Sequence, residues 1–175
     1  QQMAKVINVC RQNNAKEVIE AKSAQEANKL WEGRRNAFSC IAMSTPTAIV
    51  EDATVPRSKI PEMAAAVTRI ARKYNLAIPV VGHAGDGNLH PTICGDERDR
   101  ELMKRVEQAT EEIFQEALKL GGTLSGEHGI GLAKMKFLEW EVGKVGLDVM
   151  RSLKTAVDPN NILNPGKIFL QKEAC

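Results

Sequence analysis

All three histidines of the chain lie in its two most glycine-rich polar segments. The first segment reads Gly-His-Ala-Gly-Asp-Gly-Asn-Leu-His and contains His83 and His90. The second reads Ser-Gly-Glu-His-Gly and contains Glu127 and His128. Imidazole and carboxylate groups are ligands of divalent metals and carriers of protons near neutral pH. These four residues are therefore the first candidates for chemistry.

The spacing of the first two histidines favours a shared metal ion. Glycines and an asparagine between two apolar runs predict a β-hairpin, which would bring His83 and His90 together at neighbouring strand ends. Zinc-like ions in reactive sites usually take three protein ligands and keep one open position, and Glu127 is the candidate third ligand. Two nitrogens and one oxygen suit Zn²⁺, with Mn²⁺ or Fe²⁺ as alternatives. The competing interpretation is that the histidines lie on polar turns without a metal.

His128 directly follows Glu127 and cannot easily share the same ion. It is free to act as a general base, and the alternative is a hydrogen-bonding role behind the ligands. The glycines of the first segment match neither G-x-x-x-x-G-K-[ST] nor G-x-G-x-x-G, and a strand rather than a helix is predicted to follow. A phosphate-binding loop is therefore not predicted.

Size and composition indicate one globular domain over residues 1–175. The chain is 43% apolar with a net charge of +2 and seven aromatic residues, which does not favour nucleic acid as a partner. Its four cysteines form no C-x-x-C pair, which excludes a zinc finger. Without a visible export signal they favour reduced thiols and a cytoplasmic location. Because the sequence begins Gln-Gln-Met and runs straight into a helical pattern, we expect a fragment of a longer polypeptide.

The elements that would position these residues alternate between helix and strand. An S-x-x-E capping box at Ser23 opens one helix, whose apolar stripe includes Leu30 and Trp31 and is predicted to be buried. Arg34 falls on or beside that stripe, an unusual place for a cation. The pattern predicts an α+β fold, an antiparallel sheet with helices on one face. The predicted helices cover about 3–13, 24–38, 58–74, 99–120, 133–141 and 145–156, and the strands cover about 17–21, 47–53, 76–81, 89–94 and a short terminal segment.

Three ordered motifs make the chain resemble the C-terminal domain of FAD-linked oxidases. They are Gly-His-Ala-Gly-Asp-Gly-Asn-Leu-His-Pro, Ser-Gly-Glu-His-Gly-Ile-Gly and Asp-Pro-Asn-Asn-Ile-Leu-Asn-Pro-Gly-Lys-Ile. The likeness runs from the Leu-Trp-Glu-Gly-Arg helix at residues 30–34 to the C-terminus. Within the family, the pattern is most similar to that of glycolate oxidases and D-lactate dehydrogenases.

The resemblance implies a ferredoxin-like cap domain next to an N-terminal domain that holds most of the FAD. It implies that His83, His90 and Glu127 bind the metal and that His128 is the base. It also implies that Arg34 binds the substrate carboxylate and that Asn164 lies against the flavin. Where relatives that oxidise D-2-hydroxyglutarate carry further polar residues, this chain has Phe38 and Val50, which favours a small monocarboxylate substrate.

The sequence therefore predicts the substrate- and metal-binding part of an FAD-dependent 2-hydroxy-acid dehydrogenase that oxidises glycolate or D-lactate. Further expected partners are an electron-transfer subunit, through which the protein could lie peripherally at a membrane, and a second copy in a homodimer. Without the flavin domain the fragment should be inactive. The alternatives are a stand-alone metal-dependent hydrolase and a non-catalytic metal-binding module.

Overall fold

The computed structural model of the chain describes residues 2–170. The chain divides into two compact units, Gln1–Cys40 and Ile41–Cys175. The assignment of residues 1–175 to a single domain stays a prediction. Among residues 2–170, no helix has both the length and the apolar character needed to cross a membrane.

The first unit contains helix α1 (Gln2–Gln12) and most of helix α2 (Ala24–Met43). The predicted capping box is confirmed, since the Glu26 N–H donates to Ser23 Oγ at 3.1 Å. The Glu26 carboxylate accepts in return from the N–H of Lys22 at 2.7 Å. The strand predicted at residues 17–21 is wrong: this stretch is irregular. A strand needs a neighbouring backbone to pair with, and this unit otherwise offers only helices.

The apolar stripe of α2 is exposed, contrary to the prediction. No residue of this helix is buried. Leu30, Trp31 and Phe38 are 46%, 57% and 44% exposed. Arg34 is exposed as well, so its placement on a buried helical face was wrong for this chain. The periodicity identified the helix correctly, but it could not show that the apolar side has no cover.

The second unit is built on a sheet of four antiparallel strands, and the α+β prediction is confirmed. Strand β4 is central, with β3 on one side and with β1 and β2 on the other. β1 pairs with residues 92–95 of β4 and β2 with residues 88–89, in one continuous register. The Glu51 N–H donates to the Pro91 carbonyl at 2.9 Å between the two pairings. The strands are β1 (Thr47–Val50), β2 (Ala53–Thr54), β3 (Val80–His83) and β4 (Asn88–Gly95).

Helix α3 (Ile60–Tyr74) connects β2 to β3, and helix α4 (Arg100–Lys119) follows β4. Both helices build the core. A short 3₁₀ turn, Arg57–Lys59, leads into α3, and Asn75 ends this helix in the left-handed conformation. Asp99 caps α4 by accepting two backbone N–H bonds at 3.0 Å. The apolar stripes of both helices join one side of the sheet in a single core that includes Met63, Val67, Ile70, Ile93, Val106, Ile113 and Phe114.

The order of these elements matches the split β-α-β arrangement of ferredoxin-like domains. The predicted hairpin is formed by β3 and β4. A last strand is reduced to one bridge between Thr123 and Thr54, on the far side of β2 from β4. After α4 the chain forms the irregular loop 123–131, in the gap between the predicted helices 99–120 and 133–141.

The C-terminal part is mainly helix α5 (Leu138–Val157). Gly143 interrupts this helix with a φ of 65°, close to the predicted gap between two helices. Residues 133–137, predicted to be helical, form turns instead. Residues 161–170 contain no strand, and the rest of the predicted terminal strand lies outside the described residues.

Candidate metal centre

The two faces of β4 carry different residues because side chains alternate along a strand. Leu89 and Ile93 belong to the core shared with α3 and α4. The other face carries polar side chains at every second position, and all of them are buried. Register adds His83 of β3 to this polar face, directly opposite Asn88. The polar face of β4 consists of Asn88, His90 and Thr92.

Loop 123–131 covers this polar face. It is joined to the sheet by a bond from the Thr123 N–H to the Thr54 carbonyl at 2.9 Å. Gly126 approaches so closely that a Cβ would lie 2.2 Å from Thr54 Oγ1 and 2.9 Å from the Asn88 side chain. Glycine is therefore required here by contact, and the approach carries Glu127 and His128 over the hairpin.

The three predicted metal ligands converge on one point. Glu127 Oε1 lies 2.9 Å from His90 Nε2 and 3.5 Å from His83 Nε2. The His90 side chain is only 10% exposed, whereas those of His83 and Glu127 are 40% and 51% exposed. One ligand is therefore held inside the fold and two lie at the surface. This leaves an open side for water or a substrate, as in reactive metal sites.

His128 lies beside this cluster. Its ring stacks on that of His90, with centroids 5.1 Å apart and planes 14° from parallel. Its side chain is exposed and does not belong to the His83–His90–Glu127 group. A second group of metal-ligating side chains, Asp52, His90 and His128, has one ligand atom from each within 4.8 Å of the others.

Asp52 anchors the loop that carries Glu127. One of its oxygens, Oδ2, accepts from Ser125 Oγ at 2.8 Å. The same oxygen accepts from the three successive backbone N–H groups of residues 126–128, at 2.9–3.0 Å. Burial raises the pKa of Asp52, but the bonds from His128, Glu127 and Ser125 and the charge of Lys134 outweigh it and lower the pKa to about 2. Asp52 is therefore an anion at physiological pH.

Three buried side-chain atoms on this face have no hydrogen-bond partner among the described residues. They are Asp52 Oδ1, His90 Nδ1 and Thr92 Oγ1. Buried polar groups are normally satisfied, so unpaired ones concentrated in one place indicate a site. Together with the converging Nε2 atoms and the carboxylate, they fit a bound divalent cation and the polar groups that would surround it.

Behind Asp52, Lys134 lies almost fully inside the fold. Its Nζ donates to the Leu124 carbonyl at 2.8 Å and lies 3.9 Å from the carboxylates of Asp52 and Glu51. Burial lowers the pKa of Lys134, against the pull of the two carboxylates. Burial also raises the pKa of Glu51 to about 7, against the opposing charge of Lys134 and with a further contribution from the nearby Asp52 carboxylate.

Two predicted site residues lie outside this cluster. Arg34 belongs to the unit of residues 1–40, and its assignment to the substrate carboxylate stays a prediction. Asn164 lies in an exposed turn with a φ of 50°, and its place against a flavin also stays a prediction. The sequence analysis missed Asp52 and Lys134. Two adjacent acids inside an apolar strand could have indicated Asp52, because burying charge is costly unless it is used.

Comparison with known proteins gives a family match. Residues 1–168 match the model of the family described as FAD linked oxidases, C-terminal domain. The chain is 52% identical over 167 residues to glycolate oxidase subunit GlcD of Bacillus subtilis, which covers 95% of this chain and 36% of that protein.

Two further relatives are more distant. Glycolate oxidase subunit GlcD of Escherichia coli K12 is 34% identical, over 87% of this chain and 31% of its own length. The mitochondrial cytochrome D-lactate dehydrogenase of Arabidopsis thaliana is 34% identical, over 92% of this chain and 29% of its own length. The chain thus spans about a third of the length of these curated relatives.

Proposed function

Because the chain belongs to the family of FAD-linked oxidase C-terminal domains, we propose that it is the substrate- and metal-binding part of a 2-hydroxy-acid dehydrogenase. The substrate class is a small monocarboxylate such as glycolate or D-lactate, oxidised to the 2-oxo acid. An N-terminal domain of the same polypeptide holds most of the FAD. The observation that carries the proposal is the convergence of His83, His90 and Glu127 beneath an open side.

Within this chain, His83, His90 and Glu127 would hold a divalent ion, for which Zn²⁺ is the first candidate and Mn²⁺ or Fe²⁺ the alternatives. Such an ion supplies Lewis acidity that lowers the pKa of a substrate hydroxyl. His128 is exposed beside the cluster and can take up the hydroxyl proton. A bound flavin would supply the acceptor for the hydride that the α-carbon of the substrate gives up.

Two residues outside the cluster are assigned to binding. Arg34 would pair with the substrate carboxylate through two parallel hydrogen bonds, which only a guanidinium provides. Asn164 would contact the flavin. The exposed apolar side of α2, on which Trp31 is 57% exposed, supports a partner surface at this helix, and the flavin domain is the proposed partner. The proposal further includes a homodimer, an electron-transfer subunit and a cytoplasmic location, peripheral to a membrane through that subunit.

The test is a spectroscopic experiment on the complete polypeptide. Mixed without oxygen with glycolate or D-lactate, it should lose its flavin absorbance as the cofactor is reduced. Two histidines, a carboxylate and a water could also hydrolyse an ester or a phosphate. Hydrolysis of such compounds without flavin bleaching would therefore favour a metallohydrolase and contradict the proposal. The 175-residue chain alone should be colourless and inactive, and a yellow, active preparation of it would also contradict the proposal.

A substitution tests the proposed base. His128→Asn should lower kcat by about 10²–10⁴-fold, the usual contribution of general acid–base catalysis. Flavin content and metal content should stay as in the wild type, because His128 is assigned to neither. The exposed Lys136→Gln change on the other side of the sheet serves as a control. A His128→Asn enzyme with full turnover removes the assignment.

A further inference from the structure

Asp52 and His90 lie directly opposite each other in the sheet. The register that joins β1 and β2 to β4 is continuous, so the residue across from Asp52 is His90. Opposed residues of antiparallel strands have side chains on the same face, with Cβ atoms about 4.5–5.5 Å apart. Asp52 is fully buried, and the His90 side chain is only 10% exposed. The strand pairing therefore places an anion against the buried side of one proposed metal ligand.

The two oxygens of Asp52 have different surroundings. Oδ2 accepts four hydrogen bonds, all from residues 125–128. Three successive N–H groups pointing at one anion form a nest, which fixes the loop backbone. Glu127 and His128 are two of these donors, so the position of their side chains depends on this oxygen. Oδ1 is buried and has no partner among residues 2–170.

The free oxygen is matched by a free nitrogen. His90 Nδ1 is also buried without a hydrogen-bond partner in the described part of the chain. The other nitrogen of the ring, Nε2, points at Glu127 Oε1, 2.9 Å away. A neutral imidazole that offers the lone pair of Nε2 to a metal must carry its proton on Nδ1. An acceptor beside Nδ1 selects that tautomer. Asp52 is the charged acceptor on this face, and one of its carboxylate oxygens lies within 4.8 Å of a His90 ring nitrogen.

We propose that Asp52 is the positioning residue of the metal centre: Oδ2 fixes the loop that carries Glu127 and His128, and Oδ1, unpaired in the metal-free protein, accepts the Nδ1 proton of His90 when the metal is bound. One carboxylate then orients a ligand from the sheet and a ligand from the loop. The inference rests on the proposed function, since it takes His83, His90 and Glu127 as the ligands. Loss of a residue that hydrogen-bonds to a metal-binding histidine commonly lowers metal affinity 10–100-fold.

The Asp52→Asn variant tests whether Asp52 orients the His90 ring or only packs against it. Asparagine has the same shape, and its one oxygen can still accept the N–H bonds of the loop. Its amide NH₂ would then face His90 Nδ1, and two donors cannot pair. His90 would be forced to place its proton on Nε2, the atom needed for the metal. Wrong-tautomer effects of this kind are known from the aspartate of serine proteases.

Asp158 provides a matched control. It too is a buried aspartate that accepts successive backbone N–H groups, those of Ile162 and Leu163 at 3.0 Å. It belongs to neither group of potential metal ligands. Asp158 accepts one N–H on each oxygen and also pairs with Lys154. Asp158→Asn therefore removes the charge of another buried aspartate that binds backbone N–H groups, without touching a histidine.

The experiment measures the Zn²⁺ affinity of the intact protein by competition with a chromophoric chelator. Asp52→Asn should bind 10–100-fold more weakly than the wild type, and Asp158→Asn should bind equally well. At saturating Co²⁺, the absorption spectrum of Asp52→Asn should equal that of the wild type, because the ligands are unchanged. A different Co²⁺ spectrum would make Asp52 a ligand in its own right and overturn the positioning role.

A second measurement needs no folded variant. In the Zn²⁺-loaded, ¹⁵N-histidine-labelled wild type, nitrogen NMR should show the His90 proton on Nδ1, and an unprotonated Nδ1 would overturn the proposal. If the wild type binds Zn²⁺ and Asp52→Asn binds it just as tightly, the role of Asp52 fails and the metal site stands. If the wild type binds no Zn²⁺, the metal site of the proposed function fails, and the role of Asp52 fails with it.

Discussion

The two faces of the central strand β4 are both buried, but for different reasons. On one face, Leu89 and Ile93 pack into the core with α3 and α4. On the other, Asn88, His90 and Thr92 are equally hidden from water under loop 123–131. Burial of apolar groups stabilises the fold, whereas burial of polar groups costs free energy unless each finds a partner.

The two faces also differ in hydrogen bonding. Side chains on the helix side need no hydrogen-bond partner, because they are apolar. On the loop side Asp52, His90 and Thr92 each keep one unpaired atom. Such groups each cost about 1–3 kcal/mol when left unpaired. The comparison indicates that the helix side of β4 provides stability and the loop side provides the site.

Two alanine substitutions on β4, one on each face, should separate fold stability from metal binding most strongly. Ile93→Ala should lower the free energy of unfolding by about 2–5 kcal/mol, as expected for a large-to-small change in a core. The Zn²⁺ affinity of the folded protein should not change. Chemical denaturation and metal titration measure the two quantities.

His90→Ala should do the reverse. It removes a metal ligand, so Zn²⁺ affinity should fall by more than about 100-fold. This loss exceeds the one expected for a residue that only hydrogen-bonds to a ligand. Its loss of stability should be smaller than that of Ile93→Ala. If Ile93→Ala weakened metal binding as much as His90→Ala does, the two faces would not be separable.

A pH experiment tests Glu51, a buried acid on the helix side of the sheet. Glu51 has its pKa raised to about 7 by burial, compared with 4.5 for the ordinary group. Between about pH 4.5 and pH 7 the folded state therefore keeps a proton on Glu51 that the unfolded state has released. The free energy of unfolding consequently falls as the pH rises through this range. Glu51→Gln cannot titrate, so between pH 5 and pH 8 it should gain roughly 1–3 kcal/mol relative to the wild type.

Urea unfolding of both proteins at the two pH values measures this difference. Replacement of the exposed Glu97 by Gln is the control and should show no such trend. A difference between Glu51→Gln and the wild type that stays constant with pH would contradict the buried, protonated state.

The smallest expected effect concerns two threonines of the loop side. Thr92 Oγ1 is buried without a partner among the described residues, whereas Thr54 Oγ1 donates to Asn88 Oδ1 at 2.7 Å. Thr92→Val should be neutral or stabilise the metal-free protein by up to about 1 kcal/mol, and Thr54→Val should destabilise it by about 1 kcal/mol. Equal losses in thermal denaturation would show that Thr92 has a partner after all.

Local patterns in the sequence were enough to predict much of this molecule. Alternation and turn residues predicted the hairpin that brings His83 and His90 together, because both residues are close in sequence to the turn. Periodicity likewise predicted α3 and α4. Sequence pattern alone gave a wrong strand at residues 17–21 and a wrong burial of the apolar side of α2. Strand pairing and burial depend on which other elements lie nearby in space, and a local pattern does not contain this information.

Asp52 was missed for a related reason. Its partners lie more than 70 residues away in loop 123–131, and its position opposite His90 follows from strand register. Neither relation leaves a local pattern. The Ser-Gly-Glu-His-Gly motif was recognised for its side chains, but the nest formed by its backbone N–H groups appears only when the loop is folded over the sheet.

The location of a bound metal tests the account most directly. Crystals of the Zn²⁺-loaded protein, measured at the zinc absorption edge, should show one strong anomalous peak on the loop side of β4. The peak should lie about 2.0–2.2 Å from the Nε2 atoms of His83 and His90 and from a Glu127 oxygen. No peak at this place, or an ion bound through Asp52 and His128 instead, would contradict the account.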